Sequence, residues 1–139
     1  MNLIKKYKNI FLANYSFVYL KGYYFIGMRG HSFPGKVKSN AFRKHKKRLY
    51  KIFSKIKTEN KEGRVIFISH NSPYKTKLDK LNLKARKKFQ EEHAGSKLAR
   101  KIIEKWQPVI AISRHVHGRR GMQKIKRTIC VDPGKARKR

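Results

Sequence analysis

Two short apolar runs, Val65-Ile66-Phe67-Ile68 and Val109-Ile110-Ala111-Ile112, do most to limit what this chain can fold into. Each is rich in β-branched residues and bounded by turn signals: Gly63 and Asn71-Ser72-Pro73 flank the first, Pro108 and Gly118 the second. Runs of this length and make-up read as strands buried on both faces. Phe17 to Leu20 and Tyr23 to Gly27, joined by Lys21-Gly22, read as a hairpin. Two last extended pieces are expected near Gln123 to Lys126 and Thr128 to Val131, ending at Asp132-Pro133-Gly134.

Helices fill the intervals. From Ser39 to Lys57 there is no Pro or Gly, and Phe42, Leu49, Phe53 and Ile56 form one apolar stripe. Ser96 is placed to cap a second helix running to Trp106, with Leu98, Ile102, Ile103 and Trp106 facing inward and Pro108 ending it. Lys75 to Glu92 reads as a polar, basic stretch. Strands alternating with helices make the fold class α/β.

Charge limits the function. The chain of 139 residues has 38 Lys and Arg against 7 Asp and Glu, a net charge of +31. Residues 1–58 contain 12 Lys, 3 Arg and no carboxylate. The excess is spread over the whole chain and far exceeds what solubility requires, so it calls for a polyanion. A hydrophobic fraction of 39% with 16 aromatic residues still requires a packed core. No window approaches the ~18 apolar residues of a membrane span, and Lys5, Lys6, Lys8, Asn9 and Asn14 interrupt any signal-peptide core. Cys130 stands alone, which excludes an internal disulfide framework; it reads as a small buried hydrophobe in a cytoplasmic protein.

The candidate phosphate contacts are Arg43, Lys44, Lys47, Arg48, Lys51 and Lys55 on the first helix, Lys75 and Lys77 in a loop, and Arg114, Arg119, Arg120, Lys124, Arg127, Arg137 and Arg139 toward the C-terminus. Like charges at i, i+3 and i, i+4 destabilise an isolated helix, and a bound polyanion reverses that penalty. Tyr7, Tyr15, Tyr50 and Tyr74 are candidates for stacking on unpaired bases.

Five segments then occur in order: His70-Asn71-Ser72-Pro73-Tyr74-Lys75-Thr76-Lys77-Leu78-Asp79, His93-Ala94-Gly95-Ser96-Lys97-Leu98-Ala99-Arg100, Gln107-Pro108, His115-Val116-His117-Gly118 and Thr128-Ile129-Cys130-Val131-Asp132-Pro133-Gly134. This order resembles the C-terminal half of a calcineurin-like metallophosphoesterase, archaeal members most of all, over about residues 16–136. The resemblance implies a partial sandwich of that kind with basic extensions: an N-terminal segment 1–15, a truncated domain 16–134 and a tail 135–139. It also implies a two-metal centre to which His70, His115 and His117 would contribute ligands. The family's remaining ligands, an Asp-x-His motif, a bridging Asp and an Asn-His pair, have no counterpart here. Arg114 stands where the family has Gly, Ser72 where it has the first Pro, and Asp132 where it has Asn.

The resemblance therefore suggests vestigial ligand positions, no cofactor and no small-molecule substrate. The expected function is that of a non-catalytic RNA-binding protein, a structural or associated component of the ribosome that touches rRNA and ribosomal proteins and has no membrane contact. Two alternatives are the C-terminal subunit of a split phosphoesterase, whose partner chain supplies the carboxylates, and a DNA-binding or chromatin protein.

Overall fold

A computed structural model describes residues 7–30, 39–59, 64–114 and 120–134. The elements among them are β1 (Phe17–Leu20), β2 (Tyr23–Met28), α1 (Asn40–Glu59), β3 (Val65–Ser69), α2 (Leu83–Phe89), α3 (Lys97–Trp106), β4 (Ile110–Ser113), β5 (Gly121–Ile125) and β6 (Thr128–Asp132). The strands form one sheet in the order β1-β2-β3-β4-β6-β5. Strands β2, β3, β4 and β6 run parallel, and β1 and β5 are antiparallel at the two edges. The mixed α/β class expected from the alternation of strands and helices is the one observed.

Local chemistry sets the hairpins. Leu20 pairs with Tyr23, leaving a two-residue turn in which Lys21 and Gly22 have φ of 49° and 82°. Both values lie in the left-handed region, which glycine enters without a Cβ penalty and which matches the twist of the flanking strands. At the other edge Ile125 pairs with Thr128 around Lys126-Arg127.

The helices pack on one face. The α1 stripe of Phe42, Leu49, Phe53 and Ile56 is buried, as are Leu98, Ala99, Ile102 and Ile103 of α3. Both helices cover Ile26, Phe67, Ala111 and Cys130, which register aligns across the four parallel strands. The Phe53 ring lies between Phe67, at 5.7 Å, and Trp106, at 5.9 Å. Ser96 caps α3 by accepting from the Ala99 N–H at 3.0 Å, and Gln107 closes it with φ 46° and an N–H donated to the Ile103 carbonyl.

Three details depart from the sequence reading. The two central strands are buried on one face only: Phe67 is fully buried, whereas its neighbour Ile68 is 41% exposed. Continuous apolar runs made both faces look covered, but the helices supply cover for one. Secondly, Leu83–Phe89 is a helix, capped by Asn82, within the stretch read as merely polar. It buries no residue, so it carries no apolar periodicity to detect. Thirdly, residues ahead of β1 join the body: Asn14 bridges Gly27, and Tyr15 is buried against α1.

Candidate functional site

The carboxyl ends of the parallel strands border a cavity of about 570 Å³ lined by Ile68, Ser69, His70, Ile112, Ser113, Arg114 and Pro133. Ligands in open α/β sheets bind at this end of the strands. Beyond the ladder, the His70 N–H donates to the Met28 carbonyl and the Arg114 N–H to the His70 carbonyl, so both residues leave the sheet side by side. Ser69 Oγ donates to the Asn71 carbonyl at 2.8 Å, and Ser113 Oγ lies 3.3 Å from Ser72 Oγ. Asp132 closes β6 with Oδ1 accepting from the Gly134 N–H at 2.8 Å, while its buried Oδ2 lacks a hydrogen-bond partner among the described residues.

The loop behind the cavity is organised by Asp79, which is completely buried. Its Oδ1 accepts from the Thr76 N–H and from His93 Nδ1, each at 2.8 Å; its Oδ2 accepts from the Gly95 N–H at 2.9 Å and the Lys75 N–H at 3.1 Å. A Cβ at position 95 would stand 2.5 Å from Asp79 Oδ2 and 2.6 Å from the Ser72 carbonyl oxygen, so only glycine fits there. The Asp79 and His93 pairing joins two of the five sequence segments, a role their separation in the chain hid.

The implied metal centre falls only in part among the described residues. No three His, Cys, Asp or Glu side chains gather among the described residues. Of the three histidines suggested as ligands, His70 borders the cavity, with the permanent cation of Arg114 beside it, and His115 and His117 lie outside the described residues.

The cationic residues fall into separate groups. Arg43, Lys44, Lys47, Arg48, Lys51 and Lys55 are exposed along one side of α1, opposite its buried stripe. None forms an ion pair with a described carboxylate; Arg43 donates to Asn40 Oδ1. Lys75, Lys77 and Arg120 are exposed near the carboxyl ends of the strands, with the Lys77 N–H held by Gln123 Oε1 at 2.7 Å. Lys124 is exposed on β5, and Arg127 lies at the far end of the sheet with its Nε on Gln107 Oε1 at 3.1 Å. Arg119, Arg137 and Arg139 lie outside the described residues.

Two perturbed groups register this environment. Burial and the positive charges of Lys44 and Arg48 hold His45 below the ordinary histidine range. Burial pushes the Cys130 thiol up to about 11, so it stays protonated as the small buried hydrophobe expected from the sequence.

Of the stacking candidates, Tyr7 is exposed, and Tyr15 is removed from the set by its burial. The Tyr15 ring stacks on His45 at 4.2 Å, and its hydroxyl lies 3.1 Å from His45 Nδ1. Tyr50 and Tyr74 are half-buried, each with lysine ammonium groups against the ring: Lys46 and Lys105 on Tyr50, Lys75 and Lys97 on Tyr74.

A family profile described as metallophosphoesterase, calcineurin superfamily, matches residues 2–138. A solved crystal structure aligns with a TM-score of 0.65 and 23% identity, over 94% of this chain and 48% of that one. The chain thus spans about half the length of the solved relative. No curated protein matches it in sequence.

Proposed function

The chain belongs to the calcineurin superfamily of metallophosphoesterases and carries a net charge of +31, and we propose that it works as a non-catalytic RNA-binding protein. One observation carries the reading: the outer side of α1 presents Arg43, Lys44, Lys47, Arg48, Lys51 and Lys55 with no described carboxylate to neutralise them. Such a stripe gains free energy from a polyanion, because each neutralised phosphate releases condensed counterions.

RNA is favoured over duplex DNA because the cations lie on several separate surfaces rather than on one groove-reading helix or a symmetric pair of them. A net charge of +31 on 139 residues suits a long, folded polyanion, and ribosomal RNA is the one we propose. The test is binding to a structured rRNA fragment, a single-stranded RNA and a DNA duplex of equal length over a salt series, together with co-sedimentation on ribosomal subunits after a high-salt wash. The reading expects a steep log–log salt slope, tighter binding to structured RNA and retention on one subunit. Equal affinity for the DNA duplex, or complete loss from the ribosome in the wash, counts against it.

A further inference from the structure

The sheet face turned away from the helices carries an apolar field. Phe25, Ile66, Ile110 and Ile129 lie in one register row, and Ile68, Ile112 and Val131 in the next. All are half-buried or exposed. The field continues over β1 into a second cavity of about 200 Å³ lined by Phe11, Ala13, Val18, Leu20, Phe25 and Ile68. Six strands at a spacing of about 4.8 Å, each offering about 16 Å of length, give the whole face a footprint of roughly 450 Å². Apolar patches of a few hundred Å² are the largest that monomers ordinarily expose and are often functional.

We propose that this face docks a separate polypeptide, one with an apolar surface and an acidic rim. The proposal rests on the apolar face and not on the RNA-binding reading. RNA is a poor occupant, since the strand N–H and C=O groups are committed to the ladder and aliphatic side chains give phosphates nothing to bond. A second copy would bring together two bodies of +31 each. A lipid surface takes protruding apolar side chains, whereas most of these are half-buried, with the 570 and 200 Å³ cavities among them.

One observation favours an acidic polypeptide: Arg114 at one end of the field and Lys124 at the β5 edge are exposed cations placed to meet carboxylates around an apolar centre.

The test places a photo-crosslinking amino acid at Ile68, at Ile112 and, as the contrast, at Lys47, in the full chain expressed in its own cells. The proposal expects one identified polypeptide, acidic by sequence, to be attached through Ile68 and Ile112 and not through Lys47. Mixed with the purified chain, that polypeptide should form a 1:1 complex, weakened at least 100-fold by Ile112→Asp. Ile68→Ser, at a position already 41% exposed, repeats the measurement in a variant whose folding is little affected. Neither variant should alter the salt slope for RNA. An adduct with a second copy, a nuclease-sensitive adduct, a lipid adduct, or no adduct at both apolar positions overturns the proposal. A lost salt slope in unaltered protein would instead overturn the RNA reading and leave this one standing.

Discussion

The two faces of the sheet draw on the same strands but have opposite fates. On one, Ile26, Phe67 and Cys130 are fully buried beneath α1 and α3. On the other, Ile68 is 41% exposed, and Ile66 and Ile112 beside it are half-buried. Helices α1 and α3 lie on a single side, and the apolar residues of the opposite side stay half-buried or exposed, with only the segment at Phe11 and Ala13 described against them. Charge follows the same division: the densest cationic stripe lies on the outer side of α1, backed by the covered core, while the bare face is aliphatic at its centre. Our two proposals turn on this contrast, a polyanion on the covered side and apolar contact on the bare one.

The largest expected effect separates these assignments. Changing Arg43, Lys44, Lys47, Arg48, Lys51 and Lys55 together to Gln should lower the log–log salt slope for RNA by about 5 and weaken binding at 0.15 M salt by about 10⁴-fold. Ile68→Ser and Ile112→Asp should leave that slope in place. Equal losses from both sets of changes would erase the division of labour.

Stability gives the next contrast. Phe67→Ala removes a ring packed against Phe53 and should cost about 3 to 5 kcal/mol, measured by denaturant unfolding. Ile68→Ala, one residue away, should cost less than about 1 kcal/mol in the isolated chain because its side chain is already partly in water. Comparable costs would mean that the bare face is covered in solution by the chain itself.

Asp79→Asn tests the loop that borders both cavity and sheet. The amide keeps one acceptor oxygen but turns an NH₂ toward backbone N–H donors, and the change should cost about 2 to 3 kcal/mol. Hydrogen exchange should show the amides of Lys75, Thr76 and Gly95 losing protection first, with the β2 to β4 ladder less affected. Uniform loss across the sheet would make Asp79 a support of the whole fold rather than of the loop.

Much of this was legible in the chain, and for identifiable reasons. The α1 stripe, the Ser96 cap and the Lys21-Gly22 turn are local signals, and each occurs where spacing put it. The ordered segments around His70, His93 and Asp132 carried the family, because they repeat chemistry that sits on loops at strand ends. What stayed hidden was relational. Ile66 and Ile68 alternate faces, but only the placement of α1 and α3 decides which face is covered. Tyr15 resembled an exposed aromatic until the bridge of Asn14 to Gly27 brought it against His45. Asp79 and His93 are 14 residues apart, and nothing in either segment announces a hydrogen bond. Among the candidate site residues, the α1 cations were readable from periodicity, and the meeting of His70 and Arg114 from their places at the ends of two buried strands; the register of β3 with β4 sets them side by side.

The smallest effect comes from His45, which reports on the covered side directly. Its pKa lies below the ordinary value because it is partly buried and because Lys44 and Arg48 oppose a further positive charge. Unfolding returns the imidazole to about 6.5, so below that pH the unfolded chain binds more protons than the folded one. The contribution of His45 to stability is therefore complete above about pH 6.5 and is lost as pH falls toward its lower folded value. The unfolding midpoint should drop from pH 7.5 to 5.5 by more in the wild-type chain than in His45→Gln, the difference isolating this group from the other histidines. RNA lying along α1 would offset the field of Lys44 and Arg48, raise the imidazole pKa and narrow that difference. NMR titration of the His45 ring with and without a structured RNA reads the shift, and the Ile112→Asp chain should show it unchanged. If the ring titrates identically in the bound and free protein, the polyanion does not lie on α1, whatever the salt slope has reported.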